Sequence, residues 1–202
     1  MDRAVGCGGE CSATTVDRGH RLALRQRAGH ARRPAAARRA ARLREAEEEI
    51  GFSMPAELAE WWQLHDGTDT EASSLLPGYY MHGVSEMLND WRIWRDVGLE
   101  VYLDQVQPED SPEAGGPAYA FRPDFLPIGG DGAGNNIFVD CRPGARHACL
   151  MDYDHEAGAL QPPLYASLAD LLTQVSHAFR TGEPVRHRTP VVSEGRLSWD
   201  FA

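Results

Sequence analysis

Apolar side chains recur along this chain in two periods, one helical and one alternating, and glycine or proline marks most of the switches between them. From Ala35 to Ile50 the residues are mostly Ala, Arg, Leu and Glu, all strong helix formers, and Gly51 stands where such a helix stops. Pro55 then opens a second helix with Glu57 in its first turn. Leu58, Trp61, Trp62 and His65 follow at helical spacing, and Asp66-Gly67 ends the run. The Trp pair reads as core. Residues 68–74 are polar and loop-like, and Leu75–Met81 is expected to hold a short strand. Ser85 reads as the N-cap of a helix over 85–97, with Leu88, Trp91 and Trp94 as its apolar stripe and Met87 and Val97 at the margins.

The second half of the chain reads as strands and then a helix. Residues 104–117 set Asp104, Glu109, Asp110 and Glu113 among Pro and Gly, the composition of a surface loop. Two short apolar runs, 125–128 and 136–141, flank the segment Gly129-Gly130-Asp131-Gly132-Ala133-Gly134-Asn135. That order predicts a β-hairpin with an elaborate tip, and His147–Tyr153 reads as a third strand. Ser167-Leu168-Ala169-Asp170 is a capping-box pattern, followed by Leu168, Leu171, Leu172, Val175 and Phe179 at helical spacing, with Gly182 and Pro184 as the stop. Val185–Ala202 alternates weakly through Val191, Val192, Leu197, Trp199 and Phe201, which predicts an edge hairpin.

Composition separates the N-terminus from the rest. Residues 1–34 are Arg/Ala/Gly-rich, and Cys7-Gly8-Gly9-Glu10-Cys11 has no apolar partners. They read as a disordered tail or as a start codon assigned too early. All 20 basic residues are Arg, a bias that points to a high-GC bacterial genome. Residues 1–44 hold 11 Arg against Asp2, Glu10 and Asp17, a net of +8, whereas residues 45–202 hold 9 Arg against 27 acids, a net of −18. An acidic body repels nucleic acid and attracts basic surfaces, although acidity also serves plain solubility. The 42% hydrophobic content supplies a core. No apolar run is long enough to span a bilayer, and no apolar leader precedes a cleavage site, so a cytoplasmic location with reduced thiols is expected.

Phosphate or nucleotide binding, calcium, zinc and hydrolysis each lack their full pattern in this chain. A phosphate-binding loop needs Gly-Lys-Ser/Thr, but Asn135-Asn136-Ile137 follows the glycines and the chain has no Lys. A dinucleotide fingerprint needs a helix after its glycines, where Ile137-Phe138-Val139 reads as strand. Asp131 and Asn135 offer oxygen ligands without the closing Glu of a calcium loop. Cys141, His147, Cys149, Asp152, Asp154 and His155 lie close in sequence but lack the tight cysteine spacing of a structural zinc site. Neither a G-x-S-x-G elbow nor an H-E-x-x-H pair is present.

Three segments in order carry a resemblance. Glu45–Ile50, Gly51-Phe52-Ser53-Met54-Pro55-Ala56-Glu57-Leu58 and Trp61-Trp62-Gln63-Leu64-His65-Asp66-Gly67 resemble the opening of the SUKH superfamily, the group with the SMI/KNR-type cell-wall regulators. Phe125–Asn135 with a strand ending at Asp140, and Asp152-Tyr153-Asp154-His155-Glu156, resemble its second and third hallmarks. The resemblance covers about 43–182 and implies a single domain over 35–202. It implies an α+β fold, a central and mostly antiparallel sheet with helices packed around it. The family positions are Pro55, Leu58, Trp62, His65, Asp66, Gly67, Pro127, Gly129, Gly130, Asp131, Gly132, Gly134, Asn135, Asp140 and Asp154. It further implies a non-enzymatic binding protein; with the motifs and composition above, no metal, cofactor, membrane or specific nucleic acid is expected. Many bacterial members resemble immunity proteins that neutralise a cognate polymorphic toxin, often a nuclease or deaminase. A regulatory or scaffolding role is the alternative, and a metal-dependent enzyme built on 141–155 the lesser one. On this reading Asp131 and Asn135 hold the hairpin tip, and His65-Asp66-Gly67 build a helix end. The partner surface is then either the acidic loop with Asp104, Glu109, Asp110 and Glu113, or the sheet face beside the glycine tip. The stretch 100–118 is longer and more acidic than the family pattern requires.

Overall fold

Helix-forming composition places the first helix, α1, over residues 37–50. The computed structural model describes residues 37–68, 75–101, 109–193 and 195–202, with side chains up to 97 in the second stretch. The readings of residues 1–34, of Cys7 and Cys11, and of Asp104 lie outside them. The chain divides into two units, Met1–Ala40 and Ala41–Ala202. Of the first, only residues 37–40 are described, and they are helical. The second holds everything that follows.

Leu43, Ala46 and Ile50 are buried on one face of α1. Gly51 N–H donates to Glu47 O, and Glu47 Oε1 accepts from Met54 N, which turns the chain into α2 (Ala56–Leu64). Pro55 occupies the N-cap position, where its missing N–H costs nothing, and its carbonyl accepts from Leu58 and Ala59. Leu58 and Trp62 are buried at i, i+4. His65 ends the helix in extended backbone instead of continuing its stripe.

The expected strand over Leu75–Met81 shrinks to β1 (Tyr80–Met81), because Leu76 and Tyr79 bridge each other across Pro77-Gly78. Ser85 is not a cap. The next helix, α3, runs Val84–Val101, and Gly83 O already accepts from Met87 N, so helical bonding starts ahead of Ser85. Burial of Val84, Met87 and Trp91 fixes the inward face and leaves Ser85 exposed in the first turn.

Strands β2 (Phe125–Gly130), β3 (Asn136–Asp140) and β4 (Cys149–Tyr153) complete a four-stranded antiparallel sheet in the order β1-β2-β3-β4. Pro127 would remove a ladder hydrogen bond from an ordinary central strand. Here the register shifts between Pro127 and Gly129, and β1 pairs only with Gly129 and Gly130. At Gly129 a Cβ would stand 2.8 Å from Tyr80 O, so only glycine lets β1 close on β2. Every residue of β3 is buried, and Phe138 stacks on Phe125 at 4.1 Å between ring centroids.

Helix α4 (Leu168–Thr181) is capped by Ser167, whose side chain accepts from Asp170 N at 3.1 Å. Asp170 Oδ2 reaches back to Ala166 N, one residue further than the usual box. Leu171, Val175 and Ala178 are buried, but Phe179 is largely exposed and lies against Trp199. The C-terminal residues form β5 (Arg188–Ser193) and β6 (Arg196–Phe201), a two-stranded sheet of their own instead of an edge on the main one. The architecture is α+β, with helices packed around an antiparallel sheet.

Candidate functional site

A polar residue stands at each end of β3, and both are buried. At the C-terminal end, Asp140 and Arg142 form an ion pair with both side chains fully enclosed. Arg142 Nε and Nη2 donate to the carboxylate at 3.0 and 2.7 Å, and the Arg142 and Gly115 backbone N–H groups add 3.1 and 2.8 Å. The outer guanidinium nitrogens reach Ser111 O at 2.6 Å and Gly116 O at 2.7 Å. The guanidinium also lies 5.0 Å from the Phe125 ring centroid. Every part of this pair is satisfied, so it fastens the loop 109–117 to the sheet.

At the N-terminal end, Asn136 opens onto a groove. Its Oδ1 accepts from Trp94 Nε1 at 2.6 Å, and its Nδ2 donates to Asp90 Oδ2 at 3.1 Å and Gly129 O at 3.3 Å. Asp90 Oδ2 also lies 2.9 Å from His82 Nε2, a close contact without the alignment of a hydrogen bond. Burial pushes the Asp90 carboxyl up, but the His82 contact and the Asn136 amide outweigh burial and hold it below its ordinary value. The groove has a volume of about 660 Å³. α3 forms one wall with Glu86, Asn89, Asp90, Ile93 and Trp94, and β1 with the glycine tip forms the other.

Several of the positions singled out in the sequence lie near these two ends. Trp62 Nε1 donates to His82 O at 3.0 Å, so α2 holds the residue that faces Asp90. Asp66 is paired with Arg42 at 3.0 Å, and His65 stacks near Trp61. Gly67 has φ +82°, and a Cβ there would stand 2.5 Å from Gly83 N, where the 66–68 turn crosses the start of α3. Thr68 then pairs with Met81 backbone to backbone. At the tip, Asp131 Oδ1 accepts from Ala133 N and Asn135 N, and its Oδ2 accepts from Asn135 Nδ2. Gly130, Gly132, Gly134 and Asn135 line the groove's rim. Asn135 Oδ1 accepts from His155 N, while Asp154 Oδ1 caps Glu156 N and Ala157 N in the turn after β4.

The acidic loop is less open than its composition implies. Glu109 and Glu113 are exposed. Asp110 accepts from Tyr119 N at 2.7 Å and stands 3.8 Å from Arg122. The 141–155 cluster is dispersed. Burial with Asp140 nearby pushes the Cys149 thiol up to about 11 and raises Cys141 further, which makes both poor nucleophiles. His147 faces Arg142 O, Asp152 takes the Tyr79 hydroxyl at 2.6 Å, and His155 faces Asn135. Among the described residues no group of three or more His, Cys, Asp or Glu is placed to hold a metal, and no helix is long and apolar enough to cross a membrane.

Sequence reasoning missed Arg142, His82, Asp90, Asn136 and Tyr79 as polar centres. The one local signal was the i, i+4 spacing of Asp90 and Trp94, which sets both on one face of α3. Comparison with protein families matches residues 39–174 to the one described as the SMI1 / KNR4 family (SUKH-1). No curated protein matches the chain.

Proposed function

Because the chain belongs to the SMI1 / KNR4 family (SUKH-1), we propose that it is a non-catalytic protein-binding module whose partner is a cognate toxin domain of nuclease or deaminase type. It neutralises that domain by covering it, as an immunity protein does. The observation that carries this reading is the groove beside the glycine tip, lined by α3, β1 and the Asp90–Asn136–Trp94 network. A lining whose side chains are already hydrogen-bonded loses little freedom when a partner arrives. Residues 45–202 carry 27 acids against 9 Arg. A nuclease or deaminase grips nucleic acid through a basic surface, and opposite fields speed encounter.

The groove is favoured over the acidic loop for a physical reason. Asp110 is engaged with Tyr119 and Arg122, and the loop is pinned by Arg142, so part of its charge serves architecture. Titration calorimetry against any nuclease or deaminase toxin domain that the neighbouring genes encode, with survival of cells expressing both, tests the reading. A tight complex and survival are expected. A neighbouring toxin domain that is neither bound nor silenced contradicts it.

A further inference from the structure

The groove carries two chemistries side by side. Glu86 and Asp90 lie one turn apart on the same face of α3, and no arginine is among the described residues that line the groove, although the chain has 20. One turn further along α3, Ile93 is 50% exposed, and Tyr80 is 37% exposed on the opposite wall. The first-turn position of Glu86 suits the helix dipole, which accounts for that residue alone. It does not account for a second carboxylate four residues on, held in place by His82 and Asn136.

We propose that the groove is a recognition slot for one arginine side chain of the partner, entering between Glu86 and Asp90, with an apolar side chain of the same segment against Ile93 and Tyr80. This rests on the reading of the chain as a protein-binding module. Arginine fits better than lysine because its planar fork serves two carboxylates at once. The apolar position lies about one helical turn from the cation, which sets the spacing of the segment.

The full chain, isotopically labelled, is titrated in NMR with the peptide acetyl-Leu-Arg-Gly-Leu-amide and with the same peptide carrying Gln or Lys in place of Arg. The Arg peptide is expected to move the Trp94 indole N–H, the Asn136 side-chain amide and the Gly130 backbone N–H. The Gln peptide leaves them still, and the Lys peptide binds about threefold more weakly or worse. Glu86→Gln lowers affinity for the Arg peptide about fivefold while leaving the melting temperature unchanged. Equal binding of the Gln or Lys peptide, shifts confined to the 109–117 loop, or an unchanged affinity in Glu86→Gln overturns the proposal. The toxin reading fails separately. A slot that binds the Arg peptide while the neighbouring toxin domain is ignored leaves the slot standing. A toxin domain bound equally by wild type and Glu86→Gln leaves the toxin reading standing without the slot.

Discussion

The two ends of β3 solve the same problem in opposite ways. Each places a buried polar residue against a charged partner, yet one end is sealed and the other opens to solvent. At the Asp140 end, a guanidinium and two backbone carbonyls close every valence, and the loop 109–117 covers the pair. At the Asn136 end, the amide and Asp90 satisfy each other while the carboxylate still faces a groove. The sealed end can only hold the fold together. The open end is organised and still accessible, which is what a binding surface requires.

The largest effect is expected at the sealed end. Arg142→Ala leaves the Asp140 carboxylate enclosed without its partner and should cost about 3–5 kcal/mol in urea unfolding. Replacing both residues with apolar side chains should cost less than removing Arg142 alone; a double variant worse than the single one would break the contrast. Gly67→Ala comes next, at about 1–3 kcal/mol, since it forces φ +82° on a residue with a Cβ and drives that Cβ into Gly83. Trp94→Phe removes the donor to Asn136 Oδ1 at the open end and should cost about 1–2 kcal/mol, measurable as a shift of the urea midpoint.

Two carboxylates sharpen the comparison through pH. Asp90 has its folded value held below 3.8 despite burial, so its contribution is present above the unfolded value and is lost as pH falls through the folded one. Asp152 behaves in the opposite sense. Burial, with Asp154 and Asp131 nearby, raises it against the Tyr79 hydrogen bond, so its ionisation weakens the fold as pH rises from below 3.8 through the folded value. Asp152→Asn keeps an acceptor for Tyr79 and should raise thermal stability at neutral pH and have no benefit below both values. A loss of stability at neutral pH would show that the ionised pair with Tyr79 is worth more than its burial costs. The smallest stability effect belongs to Glu86→Gln, within about 0.5 kcal/mol, as expected for an exposed residue.

What was legible in the sequence was local. Ser167 with the repeat from Leu168 to Val175 announced α4, because a cap and a helical stripe are read within one short window. The glycine-rich segment between two apolar runs announced the β2–β3 hairpin for the same reason. Ser85 misled because a good cap residue one position inside a helix looks the same in sequence; the burial of Val84 decided the start. Arg142 was invisible because an arginine ordinarily marks the surface, and the carbonyls that accept from it lie 31 and 26 residues earlier. The Asp90–Asn136 contact spans 46 residues and appears only once α3 is laid against the sheet.

The groove and the acidic loop are the two surfaces between which a binding measurement decides most directly. Affinity for the proposed partner, any toxin domain that the neighbouring genes encode, should be compared between a groove variant, Glu86→Arg with Ile93→Asp, and a loop variant, Glu109→Arg with Glu113→Arg, at matched stability. The groove variant is predicted to lose affinity by about a hundredfold or more, and the loop variant to stay within about threefold of wild type. Full affinity in the groove variant with a collapse in the loop variant would contradict the account and move the site to the acidic loop.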